Sequence, residues 1–532
     1  MLGGPTGIDV DGPPTTTGRH PWWTLASVAL GVFMVGLDGS VVAIANPAIA
    51  ADLHASLEDL QWITNAYLLA MAALLITGGK LGDKFGRRRV FLAGVAGFGL
   101  TSVGIGVIGR TEGVIGLRAM QGLFAALLMP NTLAIVRSTF PAEKLNTAIG
   151  IWGGASAVSV ALGPIAGGLL VEHVNWESVF FINAPIAVLA LAIGVLAVGE
   201  SRSTDADERL DWAGILALSG AMVLEVYGLV KASEWGWDSG RTLGFLVAGV
   251  AVFAVFVLIE QRVSHPLLPL RLFNNATLSV GTVVVLINMF AMLGGLFFMT
   301  LYFQSVQGFS AVEAGVRTLP LSVSLIVAAP IGGLLTEKLG PRVPMVIGMV
   351  GVAAGLGLLT SLEVDSGFLH IWPGFVLLGV GIGFVMTASA EAIVGNASVD
   401  DAGIAGGVQN TALQLGGVLG TAVLGSVLSS RVGSVLHGDL VAAGTPSEVA
   451  TQLQAAKAYV AQGVAPTVDG VPAAVQEAIL TGSHEAFMAG LHTSMYVAVG
   501  VAVVGAALAL LVKPVPREEA APEHDAEPQA AI

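Results

Sequence analysis

Long apolar runs constrain the fold of this chain more than any other feature of its sequence. Of the 532 residues, 54% are hydrophobic and only 11% are charged, so a water-soluble fold of this composition would lack polar surface. Runs of about 20 apolar residues are long enough to cross a hydrocarbon layer about 30 Å thick, and the sequence contains many of them. The alternating segments of about ten residues that are typical of a membrane β-barrel do not occur in it. The sequence therefore predicts an all-α membrane protein that crosses the bilayer many times.

The apolar runs predict fourteen transmembrane helices, joined mostly by short connections. One connection, 431–489, is long and mildly polar, and within it the stretch ATQLQAAKAYV is compatible with a surface helix. The predicted spans are 23–50, 61–80, 89–109, 113–136, 146–171, 179–199, 212–232, 242–260, 278–303, 316–336, 343–362, 371–395, 403–430 and 490–513.

The Lys and Arg residues predict the orientation, because cytoplasmic loops of membrane proteins are enriched in them. With the N-terminus in the cytoplasm, Lys84, Arg87, Arg88 and Arg89 face inward after the second helix. No Lys or Arg occurs in the outward loops, which lie near 51–60, 172–178, 304–315 and 363–371. We therefore expect a protein of the inner or plasma membrane with both termini in the cytoplasm.

An internal repeat divides the chain into two halves. The stretch GKLGDKFGRRRV, which begins at Gly79, aligns with GLLTEKLGPRVP, which begins at Gly333, at an offset of 254 residues. Each copy follows the second helix of a set of six, so we predict two pseudo-symmetric six-helix bundles, an arrangement known in transporters. The predicted domains are an N-terminal tail at 1–22, a first bundle at 23–199, an inserted helix pair at 200–277, a second bundle with a long external loop at 278–513, and an acidic tail at 514–532.

GKLGDKFGRRRV resembles the signature loop of the major facilitator superfamily, and the fourteen spans resemble its fourteen-helix drug:proton antiporter branch. The resemblance covers about residues 23–513. It implies that the loop latches the two halves together on the cytoplasmic side, with Asp83 capping the positive N-terminal end of a helix in the other half. The alternative is a loop that only anchors the topology. The residues assigned to this gate are Gly79, Asp83, Gly86, Arg87, Arg88, Glu337 and Arg342.

Asp38 in the first span is a candidate proton-coupling residue, because an acid inside a membrane span is costly and by default functional. It lies about 15 residues into the helix, roughly 22 Å from the inner end at 1.5 Å per residue. Arg118 in the fourth span lies at a similar depth, so the two side chains are expected to approach each other. Burial favours the protonated acid and a nearby cation favours the carboxylate. The resemblance assigns proton coupling to both residues. The alternatives are a static polar clamp for Asp38 and a purely structural role for Arg118.

The fifth span contains LGPIAGG, which resembles the antiporter motif of the drug-export branches. The resemblance therefore favours export over uptake. Proline bends a helix, and glycines let a neighbouring helix approach closely. Ordinary small-residue packing is the alternative interpretation. The residues of this motif are Gly154, Gly163, Pro164, Gly167 and Gly168.

Other polar residues inside predicted spans are weaker candidates. Glu225 in the seventh span either takes part in proton coupling or has a structural or water-facing role. Four amide side chains are candidate substrate contacts: Gln121, Gln409, Asn410 and Gln414. For Gln409, Asn410 and Gln414, a contact with another helix is the alternative.

The sequence shows no metal-ligand spacing, nucleotide-binding loop or nucleophile motif, so it predicts neither an enzyme, a metal site, a cofactor nor a nucleic-acid partner. Without a nucleotide site, the energy must come from an ion gradient. We therefore expect a proton-coupled exporter of lipophilic small molecules, either a multidrug transporter or a dedicated exporter of one metabolite or self-made antibiotic. An uptake symporter is disfavoured by LGPIAGG and the fourteen spans. A receptor or scaffold is disfavoured by Asp38 and the repeated loop.

Overall fold

The structure, a computed structural model, describes residues 20–202, 211–263, 266–397, 402–468 and 470–513. The predicted tails lie largely outside these ranges. All regular secondary structure in the described ranges is helical.

Seventeen α-helices make up the described chain. The first bundle contains α1 (Pro21–Leu53), α2 (Leu57–Phe85), α3 (Arg87–Ile108), α4 (Thr111–Thr139), α5 (Ala142–His173), α6 (Ser178–Phe181) and α7 (Asn183–Ala197). The inserted pair is α8 (Trp212–Trp235) and α9 (Gly240–Glu260). The second bundle contains α10 (Ala276–Leu301), α11 (Ala311–Leu339), α12 (Arg342–Leu359), α13 (Phe368–Ile393), α14 (Ala402–Ala442), α15 (Ser447–Leu453), α16 (Lys457–Val460) and α17 (Ala473–Ala509).

Thirteen helical segments among the described residues are long and apolar enough to cross a membrane. The predicted span 146–171 falls within α5, which is 32 residues long but is not among the thirteen. The all-α membrane fold is therefore confirmed, and fourteen spans are consistent with it.

Each bundle is held together by contacts among its own helices. In the first bundle, α1 lies against α5 and α7, and α2 lies against α4. In the second, α10 lies against α14 and α17, and α11 lies against α13. The helices α8 and α9 pack on each other, and α8 also touches α2 and α14, so the inserted pair lies beside the seam between the bundles.

The repeat extends beyond the signature loop into the helix caps. The α2 helix begins with a capping box in which Ser56 and Asp59 satisfy each other's backbone N–H groups, and α11 begins with the same device at Ser310 and Glu313. Both caps obey the offset of 254 residues, and each box supplies partners for two otherwise unpaired donors. At the other end of these helices, Gly86 and Gly340 have φ values of 106° and 74°, which strongly favour glycine. Both halves therefore begin and end this helix in the same way.

The predicted loop 431–489 is largely helical, which corrects the sequence interpretation. The α14 helix continues to Ala442 and α17 already starts at Ala473, so the helices that contain the predicted spans 403–430 and 490–513 extend beyond those spans into the predicted loop. Leu436, Leu440 and Ile479 are completely buried in this extension. An apolar stripe with intervening polar residues has modest hydropathy but still supports an amphipathic helix. The stretch ATQLQAAKAYV contains the end of α15 and all of α16, so it is largely helical, as predicted.

Candidate functional site: a buried ion pair at the seam of the bundles

Asp38 of α1 and Arg118 of α4 form an ion pair inside the first bundle. Arg118 Nη1 donates to Asp38 Oδ2 at 2.5 Å. The exposed fractions of the two side chains are 0% and 1%, so the pair is sealed from solvent. The contact agrees with the equal depths predicted from the sequence.

Four further residues complete the network around the pair. Asp38 Oδ1 accepts hydrogen bonds from Gln121 Nε2 at 2.9 Å and from Asn183 Nδ2 at 3.0 Å. Arg118 donates from Nη1 to Gln121 Oε1 at 2.7 Å and from Nε to the Ile63 carbonyl at 3.0 Å. Ser102 Oγ accepts from Asn183 at 3.0 Å and thereby orients that amide. Gln121, a tentative substrate contact from the sequence, thus belongs to the ion-pair network in this structure.

The network explains how a buried charge pair is tolerated. Removing two ions from water costs several kcal/mol per ion, which the mutual attraction offsets only when further hydrogen bonds satisfy the remaining polar atoms. Here Asp38 has three donors, and the guanidinium also lies over the Tyr67 ring, 4.2 Å from its centroid. A proton arriving at Asp38 would cancel its attraction for Arg118.

A small cavity adjoins the pair between the two bundles. Its volume is about 30 Å³, which is close to the space of one water molecule. Arg118 lies in its wall, whereas most of the remaining lining is apolar. The lining residues come from both halves: Gly39, Val42, Ala43, Thr64, Tyr67, Leu68 and Arg118 from the first, and Leu293, Leu296, Phe297 and Thr421 from the second.

Polar side chains also join the bundles at Thr421, which lines this cavity. Thr421 of α14 donates to Asn65 Oδ1 of α2 at 2.5 Å, and Gln61 Nε2 donates to the Thr421 carbonyl at 3.0 Å. The sequence analysis missed these contacts and also missed Asn183. Gln61 and Asn65 are spaced i, i+4, which places them on one helix face. This spacing could have predicted a polar contact between α2 and another helix.

Glycines of α5 allow contacts with two different helices. A β-carbon on Gly163 would lie 2.6 Å from the Ser40 Cβ of α1, and one on Gly167 would lie 2.8 Å from Val41 Cγ2. Gly168 faces α11 instead. Gly154 differs from these positions, since it is exposed and a β-carbon there would have nothing within 4 Å. The packing function predicted for the motif therefore fits its second part, Gly163 to Gly168, and not Gly154.

Gly168→Val is expected to prevent close contact between α5 and α11. A β-carbon at this position would lie 2.7 Å from the Ala311 carbonyl oxygen and 2.8 Å from Val312 Cα, which are distances that packed atoms do not adopt. We expect export activity to fall at least tenfold. Gly154→Val is the matched control and should retain activity because the space there is open. Equal activity in the two variants would show that this approach is not required.

Described hydrogen bonds join the two bundles at the end of the molecule remote from the signature loop. At the end remote from the signature loop, Val312 N–H of α11 donates to Glu172 Oε2 at 3.1 Å, and Gln304 Nε2 donates to the Ile44 carbonyl at 3.0 Å. Hydrogen bonds from the Ser310 hydroxyl and the Val312 N–H hold the pKa of Glu172 below its usual range. At the signature-loop end, added β-carbons on Gly150 of α5 and Gly333 of α11 would have nothing within 4 Å.

The signature loop docks onto its own half in this structure. Asp83 forms an ion pair with Arg87, with 2.7 Å between Oδ1 and Nη2. Arg88 N–H donates to Glu200 Oε1 at 3.2 Å, and the Arg88 side chain donates to the Val195 carbonyl at 2.6 Å. Glu200, which the sequence analysis missed, thus caps the start of α3. A cap from Asp83 to the other half is not among the described contacts, and residues 398–401 ahead of α14 lie outside the described ranges.

The remaining predicted residues lie apart from the ion pair. Glu225 packs against Gly249 in the α8–α9 interface. Asn410 donates to the Gly406 carbonyl of its own helix at 2.9 Å. Glu337 and Arg342 are exposed near the second copy of the loop, and Gln409 and Gln414 are half-buried on α14, outside the cavity lining.

Two pseudo-symmetric bundles with a buried ion pair beside the cavity between them define a multi-pass membrane transporter. The chain belongs to the Major Facilitator Superfamily, whose family model matches residues 28–421. It is 48% identical to the tetracenomycin C resistance and export protein of Streptomyces glaucescens, over 95% of this chain and 94% of that protein. It is 33% identical to the multidrug efflux pump LfrA of Mycolicibacterium smegmatis, over 94% of this chain and 99% of that protein.

Solved structures support the same fold. A bacterial homologue of the human lysosomal transporter Spinster, in an inward-facing and occupied conformation, matches with a TM-score of 0.63 at 17% sequence identity. The match covers 93% of this chain and 97% of that chain.

Proposed function

We propose that this protein is a proton-driven exporter of antibiotics or other lipophilic drugs in the plasma membrane. The observation that carries the proposal is the sealed Asp38–Arg118 pair in contact with the cavity between the bundles. An acid in a position to carry a proton lies next to a cavity that described residues of both halves line. The resistance and export proteins to which the chain is similar support the same direction of transport.

The proposed orientation places the signature-loop end and both termini in the cytoplasm, because positive residues concentrate there. In this orientation the described structure is closed toward the outside, where Glu172 meets Val312. The proposed opening of the α5–α11 seam toward the cytoplasm is supported by the free space beside Gly150 and Gly333. This is the state in which an exporter would accept a substrate from inside the cell.

The proposed coupling uses two states of the ion pair. With Asp38 ionised, Arg118 is held by Asp38 and Gln121. When the bundles rock and the site faces outward, a proton from outside neutralises Asp38, and Arg118 loses its strongest partner. Return to the inward-facing state releases the proton to the cytoplasm. Because Arg118 lines the cavity, a change in its position changes the cavity wall. Proton binding at Asp38 is thereby coupled to substrate binding.

The substrate class follows from the lining and from the relatives. Leu68, Leu293, Leu296 and Phe297 make the cavity predominantly apolar, which suits lipophilic compounds. A cavity of about 30 Å³ must enlarge to hold a drug. The 48% identity to a tetracenomycin C export protein favours a dedicated antibiotic exporter as the second candidate.

A growth-inhibition panel tests the function. Susceptible cells that express the wild-type chain or Asp38→Asn should be compared on tetracenomycin C, puromycin and a broad set of lipophilic drugs. Resistance to many compounds that requires Asp38 supports the multidrug proposal, and resistance to a single antibiotic supports the dedicated exporter. No Asp38-dependent resistance to any compound would contradict both.

Asp83→Asn is expected to slow export severalfold without lowering the amount of protein in the membrane. The Asp83–Arg87 pair is partly exposed, and an i, i+4 surface pair contributes only about 0.3–0.5 kcal/mol, so stability should be nearly unchanged. The proposed latch to the other half would be lost in the inward-closed state. Transport rates in vesicles should be compared with Asp365→Asn, which removes an exposed acid at the other end. A normal rate for Asp83→Asn would leave the loop as a topological anchor only.

A further inference from the structure

Two acids outside the central site are buried at the signature-loop end of the inserted helix pair. Asp211 precedes α8 and Glu260 ends α9, and their exposed fractions are only 7% and 4%. One oxygen of each acid is held by a backbone N–H. Gly214 donates to Asp211 Oδ1 at 2.8 Å, and Leu268 donates to Glu260 Oε2 at 3.0 Å.

The second oxygen of each acid has no such partner. Asp211 Oδ2 and Glu260 Oε1 are buried, and neither has a hydrogen-bond partner in the described part of the chain. Both oxygens face the same point: a β-carbon on Gly214 would lie 2.7 Å from Glu260 Oε1 and would also touch Asp211 Oδ2. Two ionised carboxylates whose oxygens face the same point repel each other, and each buried oxygen without a hydrogen bond costs free energy. One proton between them would remove one charge and give both oxygens a partner.

The surroundings favour a proton over a metal ion. From α2, the Lys80 ammonium lies within electrostatic reach of Glu260 and donates to the Pro266 carbonyl at 2.8 Å. The linker after α9 contributes backbone groups of Pro266 and Leu268. Two free oxygens are too few for the six or more ligands that hard cations require, and Lys80 already supplies one positive charge.

We propose that Asp211 and Glu260 form a proton-binding site that holds one shared proton, separate from the Asp38–Arg118 pair. With that proton, the pair carries one negative charge, which Lys80 balances. The site joins the start of α8 and the end of α9 to α2 at Lys80, the second residue of the signature-loop stretch. It gives the inserted helix pair a proton-dependent attachment to the first bundle, and it does not depend on the proposed direction of transport.

Infrared difference spectroscopy of the purified full-length protein tests the proposal. At neutral pH the wild type should show the carbonyl stretch of a protonated carboxyl group that Asp211→Asn and Glu260→Gln each remove. In each variant the new amide keeps an oxygen for its backbone N–H and donates to the remaining carboxylate, so the proton is no longer needed. Asp365→Asn, which removes an exposed acid, is the control and should not change the band.

Other results would overturn the proposal. A protonated-carboxyl band that is absent from the wild type, or that neither variant changes, would show that both acids are ionised. Loss of the band in only one variant would show that one acid holds its own proton and that the proton is not shared. Gel filtration of each variant establishes that it is folded, so an altered spectrum cannot arise from unfolding.

Discussion

Asp38→Asn should abolish active export from cells that contain normal amounts of the protein. Asparagine keeps the size of the side chain but cannot exchange a proton, so Arg118 loses the partner whose charge switches. In the wild type, Arg118, Gln121 and Asn183 all donate to Asp38 oxygens. The NH₂ group of the new asparagine would replace one of these oxygens, so a donor would face a donor. Efflux of a substrate from the resistance panel, normalised to protein amount, is the measurement.

Glu225→Gln is the matched control for Asp38→Asn. Glu225 is another acid within a span, but it lies against Gly249 in the inserted pair and not at the central network. We expect this variant to retain export. Loss of export in Glu225→Gln together with full export in Asp38→Asn would move the coupling site to α8.

Arg118→Ala is expected to cause the largest loss of stability. Truncating one partner of a buried ion pair typically costs about 3–5 kcal/mol because the other charge stays buried and unpaired. The substitution also removes the donors to Gln121 and to the Ile63 carbonyl. Thermal unfolding in detergent should show a melting temperature lower by several degrees, and export should be lost.

Two companion variants separate charge from packing at Arg118. Arg118→Lys keeps a positive charge but cannot make the fork of contacts to Asp38, Gln121 and Ile63, so it should be intermediate in stability. The double variant Asp38→Asn with Arg118→Ala should be more stable than Arg118→Ala alone, since no buried charge remains unpaired. A double variant that is as unstable as the sum of the single variants would show that the pair makes no electrostatic contribution.

The sequence predicted the architecture well because membrane spans depend on length and hydropathy, which can be read along the chain. It also predicted the approach of Asp38 and Arg118, because equal depth on two helices of one bundle restricts where the side chains can meet. Depth does not specify which way a side chain points around its helix. Asn183, Asn65 and Thr421 could therefore not be assigned, and Gln121 was assigned to the cavity although its amide lies between Asp38 and Arg118.

Features outside the bilayer were predicted less well. The extensions of α14 and α17 depend on a buried stripe that includes Leu436 and Ile479, and a hydropathy window averages such a stripe with its polar neighbours. The cap that Glu200 places on α3 joins residues 112 positions apart, and no local pattern indicates such a contact. The proposed latch of Asp83 belongs to a different conformation, the inward-closed state, in which the signature-loop end would meet the other half.

Substrate-driven proton movement tests the central claim most directly. Inverted membrane vesicles with an imposed pH gradient should be loaded with a pH-sensitive dye and then given a compound to which the wild-type chain confers resistance. The wild type and Glu225→Gln should show dequenching of the dye when the compound is added, and Asp38→Asn should show none. Full dequenching in Asp38→Asn would contradict the account, because Asp38 would then be a static clamp and another acid would carry the proton.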